Sequence, residues 1–363
     1  MKNVAGRIVL SVFGVLTVVS ALSLNSCRQN TSTVDTVYVN TPDLDDSGAW
    51  TYHAAGNSGL ISMQFTDGKN FPSAGWNVAG SNGVVLRSMD TGKTWPAVTP
   101  VPSGGAIYGI WFMDRNKGIA AGDGGVSQTN DGGISWNSTY FNSSYVPRSL
   151  YFVDKNTGFI GTSDQGMNPL PGENGEIWKT TDGGNTWSEV YNTMQNNLST
   201  AIGGIYNFLF TSPTHGIATG KFGLVLVTND GGNTWTYGNS GATGSIAHTA
   251  SAGGNTIYGV SLGVSTSWPA DTIGGAVIKT TDGGMTWQQV QSTTYAPQGI
   301  AANGNGVITV AGFGGNILES TNNGTTWTPS TFGGDRWINV AYAAPYRAVM
   351  IGTFGHLVTR DRY

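Results

Sequence analysis

The sequence predicts an all-β chain, a single seven-bladed β-propeller with four strands to the blade. Three observations predict it. Six copies of one phrase, Ser/Thr-x-Asp-x-Gly-x-Thr/Ser-Trp, run along most of the chain, with their aligned Asp/Asn positions 41, 51, 48, 52 and 40 residues apart. A period of that length marks stacked supersecondary units and accommodates four short strands. Between the copies, short β-branched or aromatic runs alternate with glycine, the pattern of strands and turns. Finally, the two ends of the sequence carry complementary fragments of one further unit.

The elements follow in chain order. Residues 1–26 read as a lipoprotein signal peptide: Lys2 and Arg7 form a basic start, and Ile8 to Leu24 is an apolar stretch. It ends in Leu24-Asn25-Ser26-Cys27, which resembles a bacterial lipobox, and Cys27 is the only cysteine of the chain. Residues 27–47 then form the lipidated Cys and a polar tether, and residues 48–363 form the propeller. Without the first 26 residues, 15 basic side chains face 21 acidic ones (17 minus Lys2 and Arg7), and no basic stripe is present, so a nucleic-acid partner is not expected. A core without disulfides is expected, in a chain long enough to bury one.

Each unit reads as three runs leading into the phrase and one run after its Trp. The second unit has Tyr108 to Met113, Gly118 to Ala121 and Val126 to Thr129 before its phrase. Phe65, Phe112, Phe152, Phe210 and Tyr342 occupy matching places in first strands. After the sixth phrase come Ile338 to Tyr342, Ala348 to Ile351 and Gly355 to Asp361, the last paralleling Gly223 to Asp230 and placing Asp361 39 residues past Asn322. A fourth strand is missing there. Trp50-Thr51-Tyr52 copies Trp235-Thr236-Tyr237, so the N-terminal segment is expected to complete the last blade and close the ring.

The phrase has its own chemistry. Its acids are Asp90, Asp131, Asp182, Asp230, Asp282 and, in the sixth copy, Asn322; its aromatics are Trp95, Trp136, Trp187, Trp235, Trp287 and Trp327. The fixed Gly supplies positive φ in a tight turn. The short carboxylate accepts turn N–H groups, and the Trp anchors the turn by its apolar area. Asn322 keeps the acceptor oxygen without the charge, which assigns these positions a structural role rather than acid–base or metal chemistry.

These six copies are the Asp-box, or BNR repeat. The resemblance covers most of the chain beyond residue 47. Asp-boxes occur in sialidases, which the resemblance would furnish with an arginine triad, a Tyr nucleophile with a Glu partner, and an Asp acid. Only Arg148 and Arg336 precede first strands here, Arg87 and Arg347 falling on outer strands, so a sialidase is not expected. Xyloglucan-degrading Asp-box enzymes use two propellers with the cleft between them, and this chain has one. A glycosidase would need two carboxylates flanking the sugar. Asp164, Glu173, Glu176 and Asp271 in inserted loops are the candidates, with Trp268 as a stacking platform.

Those insertions, Ser163 to Glu176, Tyr191 to Tyr206 and Ser265 to Gly274, belong to the end of the ring opposite the Asp-boxes, where propellers commonly bind. The four histidines, His53, His215, His248 and His356, show no metal-ligand spacing, and no cofactor or metal is expected. Single propellers with this blade pattern resemble the photosystem II stability/assembly factor family and, more distantly, sortilin-type propellers. The resemblance implies a non-enzymatic scaffold that binds a protein partner. The expectation is therefore a monomeric lipid-anchored scaffold of the bacterial envelope, facing the periplasm or the surface. Its candidate binding face comprises Arg148, Tyr191, Tyr206, Trp268 and Arg336. The alternative is a glycan-binding lipoprotein stacking sugars on Trp268, Tyr140, Tyr145 or Tyr191.

Overall fold

The computed structural model describes residues 50–361 apart from 55–57, 68–73, 91, 103–104, 140, 165–173, 194–202, 264–273 and 345–346. Cys27, Tyr140, Trp268, Glu173 and Asp271 lie outside the described residues. Seven antiparallel sheets follow one another along the chain. Blade 1 has strands Leu60–Asp67, Ala74–Gly80 and Val85–Ser88. Blade 2 has Ile107–Phe112, Gly118–Gly122, Gly125–Thr129 and Asn137–Thr139. Blade 3 has Val146–Phe152, Gly158–Ser163, Glu176–Thr180 and Ser188–Asn192. Blade 4 has Ile205–Phe210, Gly216–Gly220, Val225–Thr228 and Thr236–Tyr237. Blade 5 has Ile246–Gly253, Thr256–Ser261, Gly275–Thr280 and Gln288–Thr293, and blade 6 has Pro297–Ala302, Ile308–Gly312, Asn316–Ser320 and Thr328–Thr331. Blade 7 joins Trp337–Ala344, Arg347–Gly352 and His356–Asp361 to the N-terminal Thr51–Ala54.

The ring closes as the terminal fragments predict. Thr51 faces Thr359 and Tyr52 faces Val358, as Thr236 faces Val227 and Tyr237 faces Leu226 in blade 4. First strands touch from blade to blade around the circle, and that of blade 7 touches that of blade 1. The core lies between blades. Ile110, Phe112 and Trp136 pack on Val85 between blades 1 and 2, and five further clusters repeat the arrangement through the blade 6–7 junction, where Trp337 meets Ile317. Burying both faces of each blade explains second strands that are apolar or small throughout, such as Gly-Ile-Ala-Ala-Gly at 118–122.

Blade 1 departs from the four-strand expectation. Its fourth position holds only a bridge between Leu86 and Ala97. Arg87 N–H still donates to Pro96 O and Val98 N–H to Val85 O, but Pro96 and Pro100 lack N–H groups and stop the ladder. The parallel between Gly355–Asp361 and Gly223–Asp230 needs a one-residue correction. Gly223 and Gly355 are equivalent left-handed glycines closing the turn between second and third strands. Counting from them, Arg360 takes the place of Thr228, and Asp361 falls one short of Asp230. Asp361 instead faces Arg347 and pairs with its guanidinium. That turn also explains the Gly preceding it: a Cβ on Gly80, Gly122 or Gly220 would sit 1.9–2.0 Å from a carbonyl oxygen of the strand entry.

The Asp-boxes share one geometry at the end of the ring that we call the lower rim. In the third, Thr180 Oγ1 donates to Asp182 Oδ1 (2.8 Å), Gly184 N to Thr180 Oγ1 (2.9 Å), and Thr186 N and Oγ1 to Asp182 (2.9 and 2.6 Å). Every box Gly has positive φ, from 73° to 105°. The Trp indole of boxes 1, 3 and 5 donates to its own box Gly carbonyl, whereas Trp136 reaches Thr99 O. Boxes 2 to 6 are each also clasped by the preceding blade. Arg87 donates to Gly132 O, Gln128 to Gly184 O, Lys179 to Gly231 O and Tyr258 to Asn323 O, while His215 bonds Gly283 O. The boxes therefore act as inter-blade staples as well as turns.

Candidate binding face and central channel

The upper end of the ring, opposite the boxes, is where the chain enters each first strand. Every first strand carries a β-bulge at the same register, the ladder skipping its second residue, or in blade 3 its third. The seven bulged residues are Ile61, Tyr108, Arg148, Tyr206, Ala247, Gln298 and Ile338. A bulge releases a side chain from the alternation of the strand and re-aims it. Seven at one level therefore set a ring of side chains around the upper mouth.

In that ring the Arg148 guanidinium lies over the Tyr108 ring, 4.2 Å from its centroid. No hydrogen bond or ion pair holds it among the described residues, so the cation–π contact, worth about 0.5–1 kcal/mol at an accessible site, positions it while its N–H edge stays available. Tyr206 occupies the next bulge. Two more cations stack at the upper turns: Arg336 over Phe313 (4.0 Å) and Lys221 over Phe222 (5.5 Å).

Several of the described carboxylates at this end are bonded locally. Asp123 accepts Ala106 N–H, and Asp164 accepts Asn174 N–H. Asp335, fully buried, accepts Arg336 N–H and bonds His356 Nδ1 at 2.8 Å. A chain of net charge −4 thus presents stacked cations here, while the described acids Asp123, Asp164 and Asp335 bond to the backbone and His356.

Below the mouth a channel of about 320 Å³ runs between the first strands. No Asp, Glu, Lys or Arg lines it. One residue below the bulges, the register sets Asn207, His248 and Asn339 at one level. The Asn207 amide oxygen accepts Thr249 Oγ1 (2.6 Å), and that of Asn339 accepts Val340 N (2.8 Å). His248 Nδ1 lies 2.8 Å from the carbonyl of Gln298 and must be its donor, since a carbonyl only accepts. Burial in the wall lowers the His248 pKa, the Gln298 carbonyl opposing, and favours the neutral ring.

The structure separates the remaining candidates. Tyr191 does not join the mouth: it lies on the fourth strand of blade 3, is 7% exposed, and its hydroxyl bonds Tyr237 of blade 4. Its placement follows from the inserted loop beginning after that strand rather than at Tyr191. Glu176, also 7% exposed, accepts Ser143 Oγ and Trp178 Nε1, which holds the blade 3 turn together. Arg87 is buried with its guanidinium on Asn77, Arg115 O and Gly132 O, and burial pulls its pKa down to about 10 against the pull of Asp114. Among the described residues no group of His, Asp and Glu side chains is disposed to hold a metal ion. Sequence reasoning missed the Tyr108 partner of Arg148 and the polar trio at 207, 248 and 339. Their signal, the second and third positions of first strands, becomes visible only once the seven bulges are aligned.

Comparison with known proteins places this geometry. A sequence profile for the photosynthesis system II assembly factor YCF48 matches residues 191–349. The photosystem II assembly lipoprotein Ycf48 of Synechococcus sp. (strain CC9902) is 30% identical over 148 residues, which is 38% of this chain and 42% of that protein. Among solved structures, YCF48 bound to a D1 peptide superimposes with a TM-score of 0.63 at 16% identity, covering 89% of this chain and 99% of that one. YCF48 from Cyanidioschyzon merolae gives 0.66 at 18% identity, covering 86% and 99%. A Niastella koreensis GH74 enzyme gives 0.61 at 16% identity, covering 86% of this chain and 54% of the enzyme. The chain thus resembles the assembly-factor BNR propellers in sequence over its second half and in fold over nearly all of its length.

Proposed function

We propose that this chain is a non-enzymatic scaffold that binds a polypeptide partner in the bacterial envelope, tethered there through a lipidated Cys27. The observation that carries the reading is Arg148, stacked on Tyr108 with no carboxylate of its own among the described residues, beside Tyr206 on the ring of bulges. A guanidinium held by its face and open at its edge suits the carboxylates and carbonyls of a polypeptide. The D1 peptide carried by a YCF48 chain of the same fold supports a polypeptide as the ligand class. The lipobox-like Leu24-Asn25-Ser26-Cys27 supports the tether, and no helix among the described residues is long and apolar enough to cross a membrane.

The test is capture from solubilised envelopes on immobilised wild-type and Arg148→Glu chains, with a glycan array read beside it. The wild type should retain a defined set of polypeptides, and the charge reversal should lose them. Undiminished capture by the variant, or saturable glycan binding in place of polypeptide capture, would overturn the reading.

A further inference from the structure

The central channel is asymmetric in a way that neither ring closure nor the upper face requires. At one register level, blades 1 to 4 present Gln64, Trp111, Tyr151 and Leu209, whereas blades 5 to 7 present Ala250, Ala301 and Ala341. One step lower, Phe65 stands opposite Ser251 and Ala302, while blade 7 carries Tyr342, whose hydroxyl is bonded to Thr309. Blades 2 and 3 therefore build an aromatic wall, in which Trp111 and Tyr151 lie 5.1 Å apart. Blades 5 to 7 leave room at the level of their three alanines, and the resulting space of about 320 Å³ is of ligand size.

The polar trio gives this space a direction. With their oxygens bonded within the protein, the amides of Asn207 and Asn339 offer Nδ2 donors that have no partner among the described residues. His248, committed through Nδ1 to Gln298 O, keeps Nε2 as an acceptor. An apolar body with one donor and one acceptor at the same end would satisfy all of these, and with no charged side chain in the lining an ionic head would go unpaired.

The geometry points to a small-molecule site inside the channel, for a flat, neutral, amphipathic compound of about a dozen heavy atoms, with a carboxamide-like head at Asn207, His248 and Asn339 and an aromatic body against Trp111 and Tyr151. The site lies directly below the mouth and shares the lining residues Tyr108 and Tyr206 with it, but does not use Arg148.

Indole-3-carboxamide and 3-methylindole are the probes, titrated into the full chain and followed by calorimetry and ligand-observed NMR. Wild type should bind the carboxamide saturably at submillimolar concentration and at least tenfold more tightly than 3-methylindole. Ala302→Leu and Ala341→Leu, which fill the open side, should each weaken it at least tenfold while melting like wild type. His248→Phe should keep the aromatic affinity and erase the preference for the carboxamide. Absence of saturable binding to wild type would overturn the proposal. So would unchanged affinity in both leucine variants, or leucine variants that lose polypeptide capture while wild type binds neither probe, since the channel would then belong to the partner's surface.

Discussion

Asn322 does with an amide what five aspartates do with a carboxylate. Thr326 N donates to its Oδ1 at 2.9 Å as Thr186 N donates to Asp182, but the second contact is reversed, Asn322 Nδ2 donating to Thr326 Oγ1 at 2.8 Å. The charge is thus dispensable to the turn, and the acceptor is not. Asp182→Asn should melt within a degree or two of wild type. Asp182→Ala should lose about 1 kcal/mol, the usual scale for an accessible side-chain cap on turn N–H groups, as read by thermal unfolding.

The same hydroxyls set the acid limit. Hydrogen bonds from Ser135 and Thr234 chiefly draw Asp131 and Asp230 down to about 2, while Asp182 and Asp282 reach about 2 against desolvation, through Thr186 and Thr286. Folded values below the unfolded one, near 4, mean that the contribution is complete above about pH 4 and is lost as pH falls toward 2. A combined Asp182→Asn, Asp230→Asn, Asp282→Asn variant should therefore show a shallower fall of melting temperature between pH 4 and 2. Arg87 is the residue-scale contrast. Arg87→Met strands Asn77 Oδ1 and two carbonyls between blades and should cost about 2–4 kcal/mol.

At the scale of elements, the N-terminal strand is the fourth strand of blade 7, and its removal would bare the edge of His356–Asp361. Deleting residues 1–53 should give aggregation or loss of cooperative unfolding, whereas deleting 1–40 should leave the melt unchanged. A soluble, cooperatively melting product of the longer deletion would contradict the closure.

This element was legible in the sequence because Trp-Thr-Tyr recurs at residues 50 and 235, and the repeat carries both pattern and register. Asp361 was not, because a two-residue match to Thr-x-Asp outweighed the glycine that sets the count. Blade 1's missing ladder was written in Pro96 and Pro100, but the box Trp95 made a following strand look obligatory. Tyr191 shows the limit for the site: an aromatic before a long insertion reads the same whether it ends a strand or begins a loop, and only the pairing of Ile177 with Tyr191 decides it. Arg148, expected just before a first strand, lies inside one, and its stack on Tyr108 depends on two bulges in neighbouring blades that no local pattern announces.

For the whole molecule, the account divides the ring into a lower rim that holds blades together and an upper face that meets partners, with a proposed lipid tether before it. Cys27→Ser should move the protein from the membrane to the soluble fraction with an unchanged melt, and persistence in the membrane would contradict the tether. The division of faces is the central claim, and photocrosslinking inside intact envelopes tests it most directly. A photoreactive residue is placed at Tyr206 on the bulge ring and, separately, at Ile134, a box side chain 74% exposed on the lower rim. The account predicts a discrete polypeptide adduct from position 206 that disappears with Arg148→Glu, and none from position 134. Adducts from position 134 alone, or from position 206 with no dependence on Arg148, would contradict it.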